Sequence, residues 1–183
     1  MCIRDSSRGY ITEPMTIVGD TDRTGTCVRF KPDPEMFTDT TVYDYETLHK
    51  RLREEAFLNA GLKITIEDKR EESADKEEKD RKDVLCYEGG IREFVTFLNT
   101  NKTPVHEDVI YMSGKKDDAM AEIAMQYTDT YNEVIVSFAN NVHTPEGGTH
   151  EEGFKLALTR VLNEYGRCLL YTSPSPRDGA TSR

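Results

Sequence analysis

Five kinds of residue in this chain have types or spacings that could do chemistry. Thr24-Gly25-Thr26, inside RTGTCVRF, is a small turn carrying two hydroxyls that leads into a short apolar run. Threonines before a strand are common, so the turn alone does not specify a ligand. His106, His143 and His150 could ligate a metal, but none has a partner at the spacing of a zinc motif. Surface or capping roles are expected of them. Gly147-Gly148-Thr149-His150 is glycine-rich and precedes a helix, yet no Gly-Lys-Ser/Thr follows, so it reads as a turn and not a phosphate loop. Lys155 sits on that helix and by its type alone is an ordinary solvated cation. Arg160, five residues on, lies about 140° around the helix and need not share its face. Cys27 and Cys86 are too far apart to suggest a disulfide framework or a zinc site.

The elements that must position these groups follow from periodicity. Tyr10–Val18 alternates weakly and predicts a strand, and Cys27–Phe30 predicts a short β run. Lys31–Thr41 holds two prolines and reads as a loop. Asp44–Asn59 predicts a helix with Tyr45, Leu48, Leu52, Ala56 and Phe57 on one side and Lys50, Arg51, Arg53 and Glu54 outward. Asn59-Ala60-Gly61 ends it. Leu62–Glu67 and Val84–Tyr87 read as strands flanking the charged run Glu71–Asp83, a solvated hairpin tip. Gly89-Gly90 opens a helix to about Thr100 with Ile91, Phe94, Val95 and Leu98 as its face. Val109–Met112, Ala121–Tyr127 and Glu133–Ala139 have the β content of three strands. The last helix begins near Thr149, a candidate N-cap with Glu152 three residues on as in a capping box. Its apolar stripe is Phe154, Leu158, Val161, Leu162 and Tyr165. The order gives an α+β chain.

The 183 residues carry a formal charge of −10. That balance argues against binding DNA through bulk charge, so any DNA contact needs a local basic face. No apolar run approaches the roughly 18 residues of a membrane helix. The cysteine usage fits a reduced, cytoplasmic protein. The two ends read differently. As DNA, MCIRDS is ATG-TGT-ATA-AGA-GAC-AG plus one base, and CLLYTS is TGT-CTC-TTA-TAC-ACA-TCT, its reverse complement in another frame. Both resemble a transposon-end sequencing adaptor. On that reading residues 1–6 and 168–183 are adaptor-derived and 7–167 is an internal segment. Both ends are expected to pack on nothing, although Leu169, Leu170 and Tyr171 could extend the last helix.

Three segments carry a resemblance to a known family: Arg23–Arg70, Tyr87–Tyr111 (YEGGIREFVTFLNTNKTPVHEDVIY) and Glu146–Tyr165 (EGGTHEEGFKLALTRVLNEY). In this order they resemble the DNA gyrase B family, the ATP-driven subunits of type II topoisomerases. The resemblance implies that residues 7–87 are the C-terminal part of a GHKL ATPase domain, an α/β sandwich. Residues 88–167 would be the first half of the transducer domain. It implies a nucleotide-binding role for Gly25, Thr26 and Val28, with Thr26 approaching adenine and Val28 lining its apolar slot, where aminocoumarins also bind in the family. It implies a DNA-facing role for Lys155, at a position usually basic in the family. The implied ligands are ATP and Mg2+, and the implied partners are double-stranded DNA, gyrase A and a second copy of gyrase B. The family's general-base glutamate, magnesium asparagine, adenine-reading aspartate and γ-phosphate lysine match nothing here, so no catalytic residue and no metal ligand is assigned.

Two functions are compatible with these residues. One is a piece of an ATP-dependent topoisomerase, gyrase or its sister topoisomerase IV. The other, for the segment alone, is a non-enzymatic coupling or dimerisation module.

Overall fold

The computed structural model describes residues 1–70 and 82–172, with the side chains of residues 170–172 left aside. Most of the charged run 71–83 and the end 173–183 lie outside the described residues. The elements are β1 (Cys2–Ser7), β2 (Tyr10–Ile17), α1 (Tyr45–Leu58), β3 (Ile64–Glu67), β4 (Lys82–Leu85), α2 (Ile91–Leu98), β5 (Ile110–Lys116), β6 (Ala119–Met125), β7 (Phe138–Ala139), β8 (Val142–His143) and α3 (Thr149–Thr172). The strands pair in sequence neighbours as four two-stranded sheets. The chain is α+β. It divides into two compact units, residues 1–52 with 66–82 and residues 53–65 with 83–183. The domain boundary expected between residues 87 and 88 falls inside the second unit.

In the first unit β1 and β2 form an antiparallel hairpin, Cys2 facing Ile17 and Ser7 facing Tyr10. Residues 1–6 were expected to pack on nothing, and their side chains are indeed exposed. Their backbone nevertheless pairs. Arg8 and Gly9 both have positive φ, 51° and 81°, the geometry of a two-residue hairpin turn, and ladder hydrogen bonds need no particular side chain. The Arg8 guanidinium meets Glu35 at 2.8 Å and Asp33 at 3.4 Å. The loop beyond folds on Tyr43, whose ring meets Phe30 edge-on at 5.4 Å and Phe37 at 6.5 Å. Cys27–Phe30 forms no strand. Its β content is real, but a strand needs a partner edge, and no described strand supplies one.

α1 begins where Asp44 caps it. The Asp44 carboxylate accepts from the Glu46 and Thr47 amides at 3.3 and 3.1 Å and from the Thr47 hydroxyl. The buried face differs from the expected one. Ala56 and Phe57 are buried as expected, but so are His49 and Glu54, while Leu48 and Leu52 are only half-buried. Phe57 sets this phase. It is the one fully buried large side chain among the described residues, stacked on Tyr87 at 3.7 Å and packed on Phe94 at 5.0 Å and Phe97 at 5.6 Å. Arg53 lies over the Phe97 ring at 5.2 Å, so its stem turns inward as well.

The second unit is built on this aromatic cluster. α2 starts at Gly90, whose φ of 60° favours glycine, while a Cβ there would meet Ala60 at an ordinary contact distance of 3.5 Å. Glu93 reaches back to the Gly89 amide at 3.0 Å. Phe94 is buried on the face the periodicity gave. β5 and β6 form a regular hairpin from Ile110 opposite Met125 to Lys116 opposite Ala119, longer than the expected Val109–Met112. Asn99 ties α2 to Gln126 at 3.1 Å. The expected strand over Glu133–Ala139 shrinks to Phe138–Ala139, paired with Val142–His143 across Asn140-Asn141, both at positive φ. Val134 and Ile135 stay exposed. As at Cys27–Phe30, local β content without a partner leaves coil. α3 runs unbroken through Thr172, so residues 168–172 extend the helix. Phe154 and Leu158 are half-buried, while Val161, Leu162 and Tyr165 remain exposed.

Candidate functional site

The residues singled out in the sequence fall in two places. Gly25, Thr26 and Val28 lie in the first unit, in exposed coil without helix or strand. Val28 is 77% exposed, and a Cβ added at Gly25 would meet nothing within 4 Å. Upstream, the Thr21 hydroxyl closes a small turn with the Arg23 amide at 3.2 Å. The three residues are together in the chain, with hydroxyl and isopropyl groups open to solvent.

Lys155 is in the second unit, on the first turns of α3. Its ammonium stands 2.9 Å from Glu151 and 3.6 Å from Glu133. The Glu151 carboxylate also accepts from the Ser137 hydroxyl at 2.8 Å. Ser137 Oγ is 2.9 Å from Thr144 Oγ1, and the Thr144 amide donates to the Ser137 carbonyl at 2.9 Å. These contacts have electrostatic consequences. The hydrogen bond from Lys155, then that from Ser137, holds the Glu151 carboxyl below its ordinary 4.5. Glu151 in turn raises the Lys155 ammonium above its ordinary 10.5. In the first unit, the Thr47 hydroxyl and amide lower the Asp44 carboxyl below 3.8. Sequence reasoning named Lys155 but missed Glu133, Ser137, Thr144 and Glu151. The Glu151–Lys155 spacing of four was a legible signal. The serine is fourteen residues from Glu151 and carried none.

The histidines have local partners. His106 Nε2 accepts from the Tyr127 amide at 3.0 Å, which leaves its hydrogen on Nδ1, 2.7 Å from the Asp108 carbonyl. His143 packs on Phe138 at 5.4 Å, and His150 Nε2 is 3.3 Å from the Thr144 hydroxyl. Among the described residues no group of three or more His, Cys, Asp or Glu side chains is gathered to hold a metal. No helix there is long and apolar enough to cross a membrane.

Comparison with known proteins gives this arrangement a context. The fold aligns over 92% of the chain with the 43K ATPase domain of Thermus thermophilus gyrase B, solved in complex with an aminocoumarin, at a TM-score of 0.73 and 34% identity. That alignment covers 44% of the solved chain. Gyrase B from Myxococcus xanthus shares the fold at a TM-score of 0.71 and 20% identity. The class is thus that of the gyrase-type ATPase domain, with an α+β fold. Residues 90–171 match the DNA gyrase B family profile. The DNA gyrase B protein of Bacillus mycoides is 53% identical over 160 residues, 87% of this chain and 38% of the relative. That of Staphylococcus epidermidis is 57% identical over 149 residues, 81% of this chain and 22% of the relative. The chain is similar to DNA gyrase B proteins over most of its own length, and it spans less than half the length of these curated relatives.

Proposed function

We propose that the chain works as part of the ATP-binding subunit of a type II DNA topoisomerase, DNA gyrase. ATP binding closes two copies of gyrase B around a DNA segment, and hydrolysis resets the clamp so that strand passage changes supercoiling. The carrying observation is identity of 53–57% to gyrase B relatives across most of the chain. The relatives named above are gyrase proteins, which favours gyrase over topoisomerase IV. The cellular setting is cytoplasmic, and the partners are ATP with Mg2+, duplex DNA, gyrase A and a second copy of gyrase B.

Within that assembly Gly25, Thr26 and Val28 contribute one edge of the adenine slot. Adenine needs a flat apolar wall and a few polar groups to fix its orientation. The exposed Thr26 hydroxyl and the Val28 side chain offer one of each, and Gly25 carries no side chain in the way. Lys155 faces the duplex. A full-length gyrase B carrying this segment, combined with gyrase A, should supercoil relaxed circular DNA with ATP. Decatenation without supercoiling would point to topoisomerase IV.

The isolated chain has a second reading, as a coupling module. The 77% exposure of Val28 favours it, because a slot wall open to water holds no base tightly. Hydrolysis needs a base to orient water and cationic groups around the phosphoryl, and neither is assigned to these residues. Purified chain with ATP and magnesium should release phosphate no faster than a blank. Turnover abolished by a substitution within the chain would overturn this.

A further inference from the structure

Lysine is a compact charge on a flexible stem, and an exposed one ordinarily samples many positions. Lys155 does not stand free. Glu151, one turn earlier on α3, gives one oxygen to the ammonium at 2.9 Å and the other to the Ser137 hydroxyl at 2.8 Å. The Glu151 side chain is only 17% exposed. Ser137 is itself fixed by the two Thr144 contacts across the β7–β8 hairpin. The backbone passes close by. Gly147 has a φ of 74°, and a Cβ there would lie 3.1 Å from the Glu151 carboxylate. An ordinary surface pair four residues apart has no such anchor, and it is worth little because both side chains must be ordered. Here one partner is already ordered by a separate segment of chain. Glu133 adds a second carboxylate at 3.6 Å.

We propose that Glu151, anchored by Ser137, is a positioning residue that fixes the Lys155 ammonium and offsets part of its charge toward a DNA phosphate. This rests on the DNA-facing reading of Lys155. The carboxylate acts as a brake. It holds the cation in one place and moderates its pull on the duplex, so that DNA is engaged without being retained by this contact.

The test uses full-length gyrase B with gyrase A and linear duplex DNA, reading ATPase rate against DNA concentration. Glu151→Gln keeps the side-chain shape and an oxygen for Ser137 but removes the charge. It should lower the DNA concentration for half-maximal stimulation about two- to fivefold, the range of an exposed ion pair. The gain should fade as salt is raised, since it is a screened interaction, and basal ATPase should not move. Ser137→Ala leaves every charge in place but frees the carboxylate, and should give a smaller change of the same sign. In a Lys155→Ala background, Glu151→Gln should have no effect. An unchanged midpoint in the first variant, or an equal shift in both backgrounds, overturns the proposal. If Lys155→Ala alone leaves DNA stimulation intact, it is the DNA-facing reading that fails. The positioning role is then decided by the 15N resonance of Lys155 Nζ, which Glu151→Gln must shift if the role is real and leaves in place if it is not.

Discussion

Replacing Phe57 by alanine should remove a large share of the second unit's stability. The side chain is 1% exposed, stacks on Tyr87 and packs at a tilt against Phe94 and Phe97, with ring centroids 3.7, 5.0 and 5.6 Å away. A buried aromatic removes on the order of 150–250 Å² from water. At about 25 cal/mol per Å² that is roughly 4–6 kcal/mol, an upper figure, because the unfolded chain already hides part of it. Truncations of this kind cost about 3–5 kcal/mol, and about 4 kcal/mol is the value expected here. The buried apolar set among the described residues is small, namely Ala56, Phe57, Leu85 and Phe94. Little can therefore collapse into the vacated space, which argues against the lower end of the range. Whole domains hold only about 5–15 kcal/mol, so Phe57→Ala should leave the unit marginal. Phe57→Leu, which keeps an apolar group, should retain about half the loss. Urea unfolding of the 183-residue chain, followed by tyrosine fluorescence, gives the difference from the midpoints at constant slope. A loss under about 1 kcal/mol for the alanine variant would refute the assignment of Phe57 as the centre of this core.

Three further outcomes are expected. In full-length gyrase B, Thr26→Ala should weaken nucleotide or aminocoumarin binding by about 1–2 kcal/mol, the cost of a lost polar contact; unchanged calorimetric affinity would remove Thr26 from the slot. Lys155→Glu should impair DNA-stimulated ATPase more than basal ATPase, because it reverses a charge at the duplex and leaves the nucleotide edge intact; equal loss of both would indicate misfolding. The third concerns acid. Asp44 has its folded-state pKa depressed below 3.8 by Thr47, so its contribution is present above 3.8 and is lost as pH falls through the lower folded value. Asp44→Ala should therefore flatten the acid limb of helix content between about pH 5 and about pH 2, measured by circular dichroism; a limb of the same steepness in both proteins would count against the cap.

The three helices, the 110–125 hairpin and the turns at Gly61, Gly90 and Gly147 were all legible in the sequence. Helix hydrogen bonds close within four residues, and turn geometry is set by one or two residues. Periodicity and glycine placement therefore carry nearly the whole signal for these elements. The likeness to DNA gyrase B was legible too, because the order of RTGTCVRF, YEGGIREF and GGTHEEGFK is a property of the chain itself. Tertiary structure decided what depends on a distant partner. Val28 and Val134 have the β preference of strand residues, yet both lie in coil, since a strand exists only where another edge accepts its hydrogen bonds. The backbone of residues 2–7 found such an edge in β2 through a turn whose Arg8-Gly9 pair is no strong signal. α1 carries several apolar positions that would each serve as a face, and Phe57 chose among them by stacking on Tyr87 and packing against Phe94. The Ser137–Glu151–Lys155 chain was half written in the spacing of four on α3. Its other half waited on the β7–β8 hairpin, because only folding brings a hydroxyl fourteen residues away to the carboxylate that holds the lysine.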